Sequence, residues 1–278
     1  MSDNTVVYRP STFNEVQSLL KNNQHIKVMA GGTEFLYKQA DLAFVLPKYI
    51  LSLTGVKELF DIAKTERYMD FGSMVPLGQI LQLGEKNIEP ILYDSIKTIA
   101  STNLRFVASL GGNLAVTDMQ KTLMPIIMLL DSRIELRTGT EVFWLPYSKY
   151  VGNESLELRQ KPHVITRLRV YSENWNYSFF RRLGRKGVVD AETAYFIFLL
   201  KYQKNIITDV RICFSSSTIL RSKEFENSIL GEMLPLSSKD ISIILQNSQK
   251  YFTDENITHK FHKLIFFNLL EKCLLELS

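Results

Sequence analysis

Two glycine pairs constrain this chain more than any other feature. In Val28-Met-Ala-Gly-Gly-Thr-Glu34 and in Val107-Ala-Ser-Leu-Gly-Gly-Asn113, a pair directly follows an apolar stretch. Glycine takes positive φ without steric cost and lets a ligand or another strand of chain approach the backbone closely. Successive free N–H groups in such a turn make a concave anion site. Thr33, Ser109 and Asn113 add short side-chain donors. Two such loops facing each other could hold a pyrophosphate from both sides. Two ordinary tight turns fit the same residues, and the spacing by itself names no ligand. Neither G-x-G-x-x-G nor G-x-x-x-x-G-K-[ST] occurs, so Rossmann and P-loop nucleotide sites are unsupported.

Around these loops strand and helix patterns mix without a regular βαβ period, which places the chain in the α+β class. Residues 5–9 read as a strand, and Pro10-Ser-Thr12 opens a helix with an apolar stripe at Val16, Leu19 and Leu20. His25 to Ala30 is a second strand, and Val45 to Leu53 is a strand pair interrupted by Pro47. Tyr68 to Ser73 is a strand, Pro76 to Gln82 and Ile88 to Thr98 are helical, and Leu110 to Asn113 is a turn. Pro125 to Leu130 opens a buried helix. Ser132 to Arg137 and Glu141 to Leu145 form a hairpin around Thr138-Gly-Thr140. His163 to Tyr171, Tyr195 to Leu200 and Ile206 to Phe214 are strands. Lys223 to Leu230, Lys239 to Phe252 and His259 to Leu277 are helices. A domain boundary is expected near residue 170.

Composition excludes several classes. Apolar residues make up 45% of the 278, enough for a substantial core. A net charge of +4 from 33 basic and 29 acidic residues is too balanced for a nucleic-acid footprint. No run of eighteen apolar residues and no signal-peptide pattern is present, so the expected location is cytoplasmic. The two cysteines, Cys213 and Cys273, have no metal spacing and are expected to be free and buried. An iron–sulfur cluster takes about four cysteine ligands, so the chain cannot hold one alone.

Ordered motifs carry a family likeness. Val28-Met-Ala-Gly-Gly-Thr-Glu-Phe35, Asn103-Leu-Arg-Phe-Val-Ala-Ser-Leu-Gly-Gly-Asn113 and His163-Val-Ile-Thr-Arg-Leu-Arg-Val170 come in sequence. Arg211-Ile-Cys-Phe-Ser-Ser-Ser-Thr-Ile-Leu-Arg221 follows, then Glu226 and Leu230-Gly231. Together they resemble the FAD-binding subunit of molybdenum hydroxylases, the group containing xanthine dehydrogenase and carbon monoxide dehydrogenase. The resemblance implies a two-part FAD-binding domain of the vanillyl-alcohol-oxidase type over residues 1–170, in parts of about 1–55 and 56–170. It implies a smaller α+β domain of the carbon monoxide dehydrogenase flavoprotein type over 171–278. Non-covalent FAD would lie on Val28, Ala30, Gly31, Gly32, Thr33, Glu34 and Phe35. Ser109, Gly112 and Asn113 would complete the phosphate site. Ala100 would lie along the cofactor, Ile165 near the isoalloxazine, and Arg181 beside the flavin ring, where its charge would favour the anionic reduced flavin. The implied partners are an iron–sulfur subunit and a molybdopterin subunit, with NAD or another acceptor taking the electrons.

The chain departs from the family pattern at two places. The aspartate position nine residues beyond Gly-Gly-Asn113 holds Thr122, with Asp118 one turn away. The glycine pair expected near Ser215-Ser216 is absent. A standalone flavin oxidase and a scaffold subunit that has lost flavin are the alternatives. The basic run Arg181, Arg182, Arg185, Lys186 suits a solvated face or a subunit contact as well as a flavin contact. His259 and His262 sit three apart on the last helix, without a third ligand, and read as exposed. The Phe261, Leu264, Ile265 and Cys273 stripe on that helix reads as core.

Overall fold

The structure, a computed structural model, describes residues 5–38, 45–117, 121–185, 187–190, 192–253, 255, 257 and 260–278. It has helices and strands throughout, and it divides into two compact units. One takes residues 1–88, 99–117 and 130–172; the other takes 89–98, 118–129 and 173–278.

The first unit opens with β1 (Val6–Tyr8), α1 (Phe13–Asn22), β2 (Lys27–Met29), α2 (Thr33–Lys38) and β3 (Tyr49–Ser52). Thr12 caps α1 by accepting the Glu15 N–H, and Val16 and Leu20 bury its apolar stripe. The strands form a parallel sheet in the order β1-β3-β2, with Val6 opposite Tyr49 and Lys27 opposite Ile50. The strand pair expected over Val45 to Leu53 is a single strand. Pro47 has no N–H to give a ladder, and residues 41–44 lie outside the described ones.

The chain continues through β4 (Ile62–Lys64), β5 (Tyr68–Gly72), α3 (Leu77–Gln82), α4 (Pro90–Lys97), α5 (Thr102–Arg105), α6 (Leu110–Ala115) and α7 (Leu123–Leu129). It then runs through β6 (Arg133–Arg137), β7 (Val142–Pro146), α8 (Tyr147–Val151), α9 (Leu156–Gln160) and β8 (Val164–Tyr171). The strands make an antiparallel sheet in the order β4-β5-β8-β6-β7, with β6 and β7 as the expected hairpin. Arg169 on β8 bonds Asp70 on β5 through two contacts of 2.7 Å and lies over the rings of Tyr68 and Trp144.

The second unit is built on β9 (Tyr177–Leu183), β10 (Ala194–Gln203), β11 (Ile206–Ser215) and β12 (Ile219–Leu220), antiparallel in the order β12-β11-β10-β9. Its remaining helices are α10 (Lys223–Asn227), α11 (Ser238–Ser248) and α12 (Lys260–Leu275). Alternate residues of β10 and β11, among them Phe196, Phe198, Ile212 and Phe214, form one core with Phe225, Ile241, Phe252 and Phe266. α4 and α7, from earlier in the chain, also pack on this sheet, α4 against β9 and α7 against β11. β10 is therefore buried on both faces, which is why Ala194 to Leu200 is an unbroken apolar run.

Two readings of α12 change. Phe261 and Leu264 are 61% and 58% exposed; the buried face is His262, Phe266, Leu270, Cys273 and Leu274. His262 is thus not an exposed residue. Its Nε2 lies 3.0 Å from the Glu192 carbonyl and its ring meets Phe214 edge-on. His259 lies outside the described residues. Both cysteines are free and buried, as expected, and burial pushes each thiol up to about 12.

Candidate functional site

The first glycine loop joins the end of β2 to the start of α2. Ala30, Gly31 and Gly32 make the turn, and Gly32 takes φ +73°, a conformation that favours glycine. The first N–H groups of a helix have no partner within it. Here the N–H groups of Gly31, Gly32 and Thr33 meet no acceptor among the described residues. Val28 stands on β2 just ahead of the turn, and Glu34 and Phe35 follow in the first turn of α2.

The second loop is not the expected turn. Leu110 to Asn113 is the opening of α6, capped by Ser109, whose side chain accepts the Gly112 N–H at 3.1 Å. Its other donors are also used within the protein. Leu110 N–H bonds the Val75 carbonyl at 3.0 Å, Gly111 N–H the Ser73 carbonyl at 2.7 Å, and Asn113 N–H the Ser109 carbonyl at 3.1 Å. The short polar Ser109 favoured a cap over a turn, because its oxygen satisfies a donor the helix start leaves open. Main-chain N–H groups open to an anion therefore come from the first loop, not from both.

The glycines divide into two roles. A Cβ on Gly31 would sit 2.0 Å from the Val107 carbonyl oxygen, and one on Gly111 would sit 2.5 Å from the Ser73 Cβ. Those two serve close packing of the chain on itself. At Gly32 the nearest atom to such a Cβ is Met29 Sδ at 3.7 Å, so the space is open. A Cβ on Gly112 would lie 3.6 Å from that of Ala30. The loops thus meet at two points, Gly31 on Val107 and Ala30 on Gly112.

Beside this junction Asn113 Oδ1 is buried and has no hydrogen-bond partner in the structure. An unsatisfied buried acceptor costs roughly 1–3 kcal/mol, which a ligand donor would offset. Open N–H groups on one loop and an orphaned acceptor on the other suit a ligand that carries both an anion and a hydroxyl or N–H. FAD, with its diphosphate, hydroxyls and ring nitrogens, has that donor and acceptor set.

The remaining expected residues are placed separately. Ala100 sits in the turn before α5 with φ +46°, and the Arg105 guanidinium donates to the carbonyls of Ile99 and Ala100. Ile165 is buried in β8 opposite Leu136. Arg181 is exposed on β9, in the second unit. Its neighbours are committed locally, with Arg182 donating to the carbonyls of Arg185 and Val188 and Arg185 pairing with Asp190 at 2.9 Å. Lys186 lies outside the described residues. Thr122 is buried and donates to the Tyr195 hydroxyl at 3.1 Å; Asp118 lies outside the described residues. Ser215 and Ser216 are buried at the end of β11. Sequence reasoning missed Ser73 and Val75, which accept from the second loop, and no local pattern marks them. It also missed the bracing action of Arg105, although that residue lies inside the second motif. No group of three or more metal-ligand side chains occurs among the described residues, and no helix there is long and apolar enough to cross a membrane.

Residues 2–170 match the model of the FAD binding domain in molybdopterin dehydrogenase. The xanthine dehydrogenase of Drosophila pseudoobscura pseudoobscura is 26% identical over 145 residues, 49% of this chain but 11% of that protein. The chain thus matches about a tenth of that relative's length. The glyceraldehyde dehydrogenase medium chain of Sulfolobus acidocaldarius is 19% identical over 229 residues, 81% of each chain. The crystal structure of quinoline 2-oxidoreductase from Pseudomonas putida 86 superimposes with a TM-score of 0.80. That overlap covers 99% of this chain and 96% of the other at 17% identity, a likeness of fold.

Proposed function

Because the chain belongs to the family of FAD binding domains in molybdopterin dehydrogenases, we propose that it is the flavin subunit of a multi-subunit molybdenum hydroxylase. In this reading it takes electrons from iron–sulfur clusters on one partner, which a molybdopterin partner has reduced, and passes them to NAD or another acceptor. One observation carries the site: the open N–H groups of Gly31, Gly32 and Thr33 stand where the first loop meets the second, which holds the orphaned Asn113 Oδ1.

FAD supplies the electron-carrying ring when bound; the protein supplies position and electrostatics. The N–H groups of Gly31 to Thr33 take the diphosphate, and Asn113 Oδ1 accepts from the cofactor. Val28, Ala30, Glu34 and Phe35 flank it, Ser109 and Gly112 close the second side, and Ala100 and Ile165 line the path toward the ring. By the family likeness alone, Arg181 would stand beside the ring, where its charge would favour the anionic reduced flavin. The flavin part is residues 1–170, of the two-part vanillyl-alcohol-oxidase type, and 171–278 is the smaller domain. The need for partners rests on counting, since two cysteines cannot ligate a cluster. Buried, reduced thiols suit a cytoplasmic setting.

The test compares the chain purified alone with the chain co-expressed with candidate iron–sulfur and molybdenum subunits. Alone, it should carry about one FAD, released by acid precipitation, and should not oxidise a purine or an aldehyde. The assembled complex should do so, read as substrate-dependent dye reduction. A colourless chain that takes up no FAD defeats the site. A lone chain that oxidises such a substrate at the complex's rate would make it a standalone oxidase.

A further inference from the structure

We infer that Arg105 is a positioning residue of the flavin site, acting through the conformation of Ala100; this rests on the flavin reading above. Ala100 is one of four residues other than glycine at positive φ among the described residues, at +46°. A side chain there is strained and persists only where the surroundings over-determine it. What over-determines it is Arg105. Its Nη1 donates to the Ile99 carbonyl at 2.8 Å and the Ala100 carbonyl at 3.0 Å, and its Nη2 to Thr102 Oγ1 at 3.0 Å. A planar fork can grip two successive carbonyls and a third oxygen at once; an ammonium cannot hold that geometry.

The clamp reaches the cofactor cradle along a short path. Arg105 ends α5, whose start is capped by Ser101. Two residues later Val107 presents the carbonyl against which Gly31 packs, and its own N–H bonds the Leu104 carbonyl at 3.0 Å. Leu77 N–H then holds the Ala108 carbonyl at 3.0 Å, and Ser109 caps α6. The run from Ile99 to Asn113 is thus one hydrogen-bonded segment. Arg105 fixes its first turn, and its far end forms one wall of the first glycine loop. Release of that turn lets Val107 move and with it the Gly31 to Thr33 N–H groups.

The test uses the full chain and FAD, with dissociation constants from quenching of flavin fluorescence well below the melting temperature and with the visible circular dichroism of bound flavin. Arg105→Ala is expected to weaken FAD roughly tenfold, the size of effect that releasing one strained residue brings, and to alter the dichroism. Arg105→Lys should not restore either. Ala100→Gly accepts positive φ freely, so the double variant Arg105→Ala, Ala100→Gly should bind FAD several-fold more tightly than Arg105→Ala alone. Unchanged FAD affinity in folded Arg105→Ala overturns the inference, as does failure of Ala100→Gly to tighten binding in the double variant. If wild type itself binds no FAD, the flavin reading falls first and this inference with it.

Discussion

The main chain of Gly31 lies against that of Val107 so closely that a Cβ on Gly31 would stand 2.0 Å from the Val107 carbonyl oxygen. This contact joins the two glycine loops, and it separates the two glycines of the first pair by task. Gly31 lets the loops meet. Gly32, at φ +73°, faces open space, the side from which the proposed diphosphate would approach.

Gly31→Ala and Gly32→Ala should therefore fail differently. At Gly31 the backbone of Val107 must shift, an overpacking cost of roughly 1–3 kcal/mol or more. The melting temperature of the FAD-free chain should fall clearly. At Gly32 the cost is the left-handed conformation alone, about 1–2 kcal/mol. There, Gly32→Val should keep the chain folded while abolishing FAD uptake. Equal thermal losses, or normal FAD content in Gly32→Val, would refute this division.

Arg169 and Asp70 join the central strands of the five-stranded sheet through a bidentate pair, and Asp70 is buried. Arg169→Ala strands that carboxylate and empties the space between Tyr68 and Trp144. A loss of about 1–3 kcal/mol is expected in urea unfolding, given the partial exposure of the arginine. Arg169→Lys should recover less than half, because it has neither the fork nor the flat stacking face.

His163 should make stability pH-dependent on the acid side. Burial holds its pKa below the usual 6.5. Its Nδ1 faces the Lys161 carbonyl, so Nδ1 carries the proton and Nε2 accepts from the Tyr150 hydroxyl at 3.0 Å. The unfolded chain takes up a proton near pH 6.5 and the folded one only at lower pH. Stability from this residue is thus complete above 6.5 and falls as pH drops from there toward the folded value. The urea midpoint should decline between pH 7.5 and pH 5.5, and His163→Gln should flatten that decline. An equal slope in the variant would assign it elsewhere.

Cys213 and Cys273, with thiols pushed up to about 12 by burial, should not react with a thiol reagent at pH 8 in the folded protein. Both should react after denaturation. Rapid labelling of either in the native chain would show that its burial is not maintained in solution.

Much was readable from the chain alone. Alternating and unbroken apolar runs placed β8, β10 and β11, and helical spacing placed α1, α11 and α12, because burial selects those periods directly. The order of the glycine motifs pointed to the family and to FAD. Other features depended on residues far away in sequence. β9 carries Tyr-Ser-Phe-Phe-Arg-Arg-Leu, a weak strand pattern, and is a strand because β10 offers it a ladder from Leu183 to Tyr177. α4 and α7 pack on the sheet of the second unit, where β10 needs its other face covered. Phe261 and Leu264 are exposed while His262 is buried, because the placement of α12 on the sheet, not its composition, chose the buried face. The division of the glycines was hidden for the same reason. Sequence shows that a side chain is missing at Gly31, but only the packed fold shows that the Val107 carbonyl fills the space where it would be.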